Sequence, residues 1–179
     1  SACASIGNYT NDSAAPTISS ASVTTTSPGT SLTPQVAFTL NEAGTVTLYN
    51  SSACTTAISL ATAKTSGANT MATTSLTANA TTTIFAKGVD SLSNASLCTS
   101  ISSYTNDTTV PTISSASGST TSPGTSLTPT VAFTLSEAGT VTLYNSSVCT
   151  TAISLATAKT SGANTMVTTS LTANATTTI

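Results

Sequence analysis

The chain has 179 residues, only 4% of them are charged, and its formal net charge at pH 7 is −2. So few cations give no basic face for phosphate groups, which argues against nucleic-acid binding, and no apolar run approaches the roughly 18 residues that cross a membrane. Ser and Thr together supply 76 residues. Hydroxyl groups, rather than charged groups, must therefore make up most of the polar surface.

The chain is organised by a repeat of 95 residues. Residues 1–84 and 96–179 align without a gap and differ at 13 of 84 positions. This period is too long for a solenoid repeat and suits one small domain. It predicts the last strand of a preceding repeat at 1–8, a complete repeat at 9–103 and a second repeat at 104–179 that is incomplete at its C-terminus. We expect the natural chain to continue, or another copy to supply the missing strands.

Alternation of apolar and polar residues, bounded by turn residues, predicts seven strands in the complete repeat. The turn Glu42–Gly44 between the second and third strands predicts a hairpin. Seven short strands without any helical period indicate an all-β sandwich. In chain order the predicted strands are Thr17–Val23, Gln35–Asn41, Thr45–Asn50, Ala57–Thr65, Asn69–Leu76, Thr81–Val89 and Cys98–Asn106.

Five stretches of the repeat match a known pattern: Leu76–Ala80, Thr83–Asp90, Ser93–Ser96, Thr45–Tyr49 before Cys54, and Tyr104–Asp107 before Pro111. The first three resemble the E-to-G portion of fibronectin type III and bacterial immunoglobulin-like repeats. The last two are similar to the bacterial immunoglobulin-like repeats of large surface proteins. The resemblance implies tandem immunoglobulin-like, seven-stranded β-sandwich domains in a cell-surface adhesin or an extracellular filament.

Members of that family often bind calcium between domains through acidic residues, and this chain has few of them. The candidates at the domain junctions are Asp12 with Asn11 and Asp107 with Asn106. One carboxylate per junction is few for a cation that takes six to eight oxygen ligands. We therefore expect no metal and no cofactor.

Four cysteines without any histidine favour disulfides over metal ligation; they are Cys3, Cys54, Cys98 and Cys149. The simple topology places Cys54 and Cys98 at opposite ends of the sandwich, about 20 Å apart, whereas a disulfide tolerates about 7 Å between Cα atoms. Three pairings stay open: a bond between successive units, a bond within one unit whose last strand begins later than predicted, and a bond between separate chains. Free thiols are the remaining alternative.

Catalysis needs a nucleophile with a base, a carboxylate pair or a metal set, and the sequence predicts none of these, so we expect no enzyme. The tyrosines Tyr9, Tyr49, Tyr104 and Tyr144 could form a sugar-binding set, although outward strand tyrosines more often pack at junctions. Eight Asn-x-Ser/Thr triplets are possible glycosylation sites. They begin at Asn8, Asn11, Asn50, Asn79, Asn94, Asn106, Asn145 and Asn174.

Near-identical copies favour spacing or polymerisation over recognition, because specialised binding domains normally differ from their neighbours. We therefore expect a structural or adhesive repeat of an extracellular bacterial surface stalk or filament. Its partners would be further copies of the repeat, in the same chain or in a filament. The alternative is a repeated ligand-binding module, for carbohydrate or a host or cell surface, that acts by avidity.

Overall fold

The computed structural model describes residues 2–179, and this part of the chain contains strands and no helix. The prediction of an all-β chain is thereby confirmed. The chain divides into two compact units, the first ending at Thr108 and the second comprising Thr109–Ile179. Ser1, which begins the predicted segment 1–8, lies outside the described residues. The rest of that segment is exposed and contains no strand.

The first unit, called unit 1, contains seven strands in two antiparallel sheets. One sheet has the order β1-β2-β5 and the other has the order β4-β3-β6-β7. Each strand lies in or close to a predicted segment, although the fourth is far shorter than the alternation suggested. The strands are β1 (Ile18–Val23), β2 (Gln35–Leu40), β3 (Gly44–Tyr49), β4 (Thr62–Lys64), β5 (Gly67–Ala72), β6 (Thr81–Val89) and β7 (Thr99–Thr105).

The predicted hairpin between the second and third strands is wrong. β2 pairs with β1 and β5, while β3 pairs with β4 and β6. Both strands turn an apolar face toward the same core, so the connection through Glu42 carries the chain from one sheet to the other. Gly44 allows β3 to start close to the end of β6, because a Cβ atom there would lie 2.8 Å from the Val89 carbonyl oxygen.

A single apolar cluster lies between the two sheets of unit 1. Its members alternate along the strands, as expected for strands that bury one face. The largest side chain in it is Tyr104, which is completely buried. The cluster contains Val36, Phe38, Leu40, Val46, Leu48, Ile58, Met71, Leu76, Ile84, Ala86 and Tyr104.

The second unit, called unit 2, contains strands equivalent to β1–β5. They form a sheet of order β12-β9-β8 and a two-stranded sheet of β10 and β11. Its core is smaller and consists of Val131, Phe133, Leu135, Val141 and Met166. The strands are β8 (Ile113–Gly118), β9 (Thr130–Leu135), β10 (Gly139–Val141), β11 (Thr157–Lys159) and β12 (Gly162–Val167).

Candidate functional site

The last strand of unit 1, β7, is fastened at its start by a disulfide. Cys98, one residue before β7, is bonded to Cys54 in the loop after β3, and their Cα atoms lie 5.8 Å apart. Of the three pairings that the sequence left open, the structure contains the one within a single unit. Cys3 and Cys149 are free and exposed.

The prediction that Cys54 and Cys98 lie at opposite ends of the sandwich is wrong, and the stagger of the strands explains why. β6 is nine residues long. β3 pairs with its second half, from Phe85 to Val89, whereas β7 pairs with its first half, from Thr81 to Ala86. The end of β3 and the start of β7 therefore reach the same level of the sheet, beside Phe85.

The far end of β7 is fastened by Tyr104. Its side chain is completely buried, and its hydroxyl donates a hydrogen bond to the Ser31 carbonyl oxygen at 2.9 Å. Ser31 belongs to the loop between β1 and β2. A buried tyrosine hydroxyl needs such a partner, because an unpaired polar group in the interior is costly. Tyr104 therefore joins the apolar core to this loop.

Asn106, directly after β7, makes a second connection to the same loop. It is 1% exposed, and its Nδ2 donates to the carbonyl oxygens of Ser31 (3.1 Å) and Gly29 (3.3 Å). Its Oδ1 accepts a hydrogen bond from the backbone N–H of Asn79 at 2.9 Å. The backbone adds two bonds, from Gly29 N to the Thr105 carbonyl (3.0 Å) and from Asp107 N to the Gly29 carbonyl (2.9 Å). We call the disulfide together with Tyr104 and Asn106 the β7 clamp.

Three carboxylates lie together in unit 1. Asp12, Glu42 and Asp90 each place an oxygen within 4.8 Å of the other two. The sequence had paired Asp12 with Asn11, and neither Glu42 nor Asp90 was foreseen beside it. The signal for this group was weak, since the three residues come from distant turns. Each of the three residues offers one oxygen to the common point, which is fewer than the six to eight oxygens that calcium takes, and Asp90 is already engaged by its own loop.

Asp90 orders the turn after β6. Its Oδ1 accepts hydrogen bonds from the backbone N–H groups of Leu92 (2.9 Å) and Asn94 (2.8 Å), and its Oδ2 accepts one from Asn94 Nδ2 (2.7 Å). Burial by itself would raise the pKa of Asp90, but the hydrogen bonds from Asn94, Leu92 and Ser93 outweigh it and hold this pKa below its usual value. The ionised carboxylate is the form that this turn prefers.

The structure places the possible glycosylation sites in three settings. Asn106 is buried and uses its amide within the β7 clamp, which leaves no room for a glycan in the folded unit. Asn94 is half-buried, and its amide donates to Asp90. The exposed candidates are Asn8, Asn11, Asn50, Asn79, Asn145 and Asn174.

The four tyrosines do not share one setting. Tyr9 is 89% exposed, whereas its counterpart Tyr104 is completely buried; Tyr49 and Tyr144 are half-buried. Tyr104 therefore cannot contact a sugar in the folded unit. Its anchoring role was missed from the sequence, although the recurrence of Tyr-Thr-Asn-Asp at 9–12 and 104–107 marked the segment.

Among residues 2–179, no helix has the length and apolar character needed to cross a membrane. Comparison of the chain with protein-family models, curated proteins and solved structures gave no match.

Proposed function

We propose that the chain is a structural repeat of an extracellular bacterial surface stalk or filament, built from immunoglobulin-like β-sandwich domains and without catalytic activity. The observation that carries this proposal is the β7 clamp. β7 is the strand after which one repeat gives way to the next, and it is attached to the body of unit 1 at both ends. A pulling force applied at residue 108 must therefore break these contacts with the body of unit 1 before β7 can detach.

The strand order supports an immunoglobulin-like fold. β1, β2 and β5 correspond to strands A, B and E of such a sandwich, and β4, β3, β6 and β7 correspond to C′, C, F and G. The side chains of β2 and β3 enter one core from opposite sheets. This is the arrangement in which consecutive strands B and C belong to different sheets.

The disulfide supports an extracellular location. Such bonds persist in oxidising compartments and are rare where thiol reductants are abundant. The bond also compensates for a core that contains few large aromatic side chains. Hydroxyl-rich strand faces and a chain with only eight charged residues fit a spacer better than a surface that attracts charged ligands.

Electron microscopy of the native material separates this proposal from the ligand-binding alternative. A stalk or filament should give regular fibres whose subunits repeat at the spacing of one domain. In parallel, the full chain should show no saturable binding on a glycan array. Specific glycan binding together with an absence of fibres would favour the avidity module and overturn the structural role.

A further inference from the structure

Each unit has an open side at which an edge strand of one sheet lies near an edge strand of the other. In unit 1 these strands are β5 and β4, and in unit 2 they are β12 and β11. An edge strand presents backbone N–H and C=O groups that can pair with a strand of another molecule. Both β5 and β12 are six residues long and carry no charged side chain. Segments of this length and low charge are prone to cross-molecule β-pairing.

The ladder shows which backbone groups of β5 face outward. Thr73, directly after β5, donates its N–H to the Pro34 carbonyl on the β2 side. Because alternate residues of a strand direct their backbone groups to opposite sides, Thr70 directs its carbonyl away from β2. The same alternation directs the N–H of Thr74 away from β2, where it donates to the Ile58 carbonyl.

In both units a lysine side chain donates a hydrogen bond to this outward carbonyl oxygen. Lys64 Nζ donates to the Thr70 carbonyl oxygen at 2.6 Å, and Lys159 Nζ donates to the equivalent Thr165 carbonyl oxygen at 2.6 Å. The chain contains three lysines and no arginine or histidine. Two of its three cationic side chains therefore bind equivalent carbonyl oxygens at the β5 and β12 edges. In unit 2, Lys159 and Thr165 also line a groove of about 430 Å³ on this side.

The opposite edge of the same sheet is protected in another way. β1 has a bulge in its pairing with β2 between Ser19 and Ser22, and β8 has the equivalent bulge. In addition, Val23 N donates to Ser102 Oγ of β7 at 3.3 Å. By contrast, β5 and β12 keep a regular register along their whole length. A bulge disrupts strand addition, and a flat regular edge needs a charge instead.

We propose that Lys64 and Lys159 are edge-protecting residues that keep the β5 and β12 strands from pairing with a strand of a second copy. The ammonium group removes one carbonyl from the edge and places an unpaired charge where an incoming strand would have to bury it. Tandem repeats of nearly identical sequence are especially exposed to such mispairing, because every copy offers a compatible strand. This protection goes beyond the proposed structural role and would be needed equally if the repeats bound a ligand.

The test uses the full chain with Cys3 and Cys149 alkylated, so that thiol cross-links cannot produce oligomers. In K64M/K159M we expect loss of the parent's peak in size-exclusion chromatography with light scattering, appearance of higher-mass species, and retained β-sheet circular dichroism. The change takes the formal net charge from −2 to −4, so a loss of charge repulsion between molecules cannot explain association. K64R/K159R should elute like the parent, because arginine keeps both the donor and the charge.

K87M is the matched control, because β6, which contains Lys87, lies between β3 and β7 and is not an edge strand. It should elute like the parent. If K64M/K159M loses its fold, acetylation of the already folded K87M chain neutralises Lys64 and Lys159 without refolding, and the same higher-mass species should form. A folded K64M/K159M chain, or a folded acetylated chain, that elutes like the parent would overturn the proposal.

Discussion

Units 1 and 2 contain the same six-residue segment in two settings. In unit 1, Gly44–Tyr49 is β3, a strand of six residues that pairs with β4 and β6. In unit 2 the identical sequence of residues 139–144 forms a strand only over Gly139–Val141, where it pairs with β11. The intrinsic preference of the residues is the same in both places. The partner strand therefore determines where this strand ends.

Burial differs between the units in the same way. Val36 and Val46 are completely buried in unit 1, whereas their counterparts Val131 and Val141 are 8% and 6% exposed. Leu48 is completely buried, while Leu143 is only partly buried. Cys54 is bonded to Cys98, while the equivalent Cys149 is free. β6 and β7 therefore close the core of unit 1, and the β7 clamp holds them there.

The largest expected effect comes from the disulfide. Replacing both cysteines in C54S/C98S should destabilise unit 1 by about 4 kcal/mol, because the bond closes a long loop between residues that are 44 positions apart. Unit 2, which has no such bond, should keep its stability. Hydrogen exchange measured on peptides that include a differing position, such as Gln35 and Thr130, distinguishes the units. Equal loss of protection in both units would contradict this account.

Truncation of equivalent leucines tests the difference in burial between the two cores. L48A should cost unit 1 about 3 kcal/mol, because it leaves a cavity in a closed core. L143A should cost unit 2 no more than about 2 kcal/mol, since Leu143 has less buried surface to lose. Urea unfolding followed on both variants provides the measurement. An equal cost would mean that β6 and β7 add little to the burial of this position.

The tyrosine pair tests the far end of the β7 clamp. Y104F removes the hydrogen bond to the Ser31 carbonyl and should destabilise unit 1 by about 1 kcal/mol, which lowers the melting temperature by roughly 4–8 °C for a domain of this size. Y9F is the control, because Tyr9 is 89% exposed and, like Tyr104, is followed by Thr-Asn-Asp. The melting temperature of Y9F should match that of the parent. A smaller shift for Y104F than for Y9F would exclude the clamp.

The smallest effect concerns Asp90 and depends on pH. The pKa of Asp90 is lowered in the folded chain from a reference value of 3.8. The ionised group therefore contributes stability above pH 3.8, and this contribution is lost as the pH falls through the folded pKa. The stability difference between the parent and D90A should be full at pH 7 and should shrink below about pH 3.8. A difference that grows on acidification would contradict the hydrogen-bonding role.

Alternation along the sequence was sufficient to find most strands of unit 1, because the strands beside the core bury one face, whereas β4, none of whose residues is buried, was predicted far too long. It could not assign strands to sheets, since Glu42–Gly44 has the composition of a hairpin turn whether or not β2 and β3 pair. It also misjudged the distance between Cys54 and Cys98, because the stagger of β3 and β7 along β6 is a property of pairing rather than of any one strand. The carboxylate group of Asp12, Glu42 and Asp90 depends on how distant turns meet, which leaves no local pattern.

The most direct test of the account is the extension of the full chain in a single-molecule force experiment, with handles attached through terminal tags. Oxidised unit 1 should unfold in a discrete step, because the β7 clamp resists peeling. Reduction of the disulfide should lengthen that step by about 15 nm, since 44 residues become extensible at about 3.6 Å each. Gradual extension without a step, or a step whose length is unchanged by reduction, would contradict a mechanically resistant domain closed by this bond.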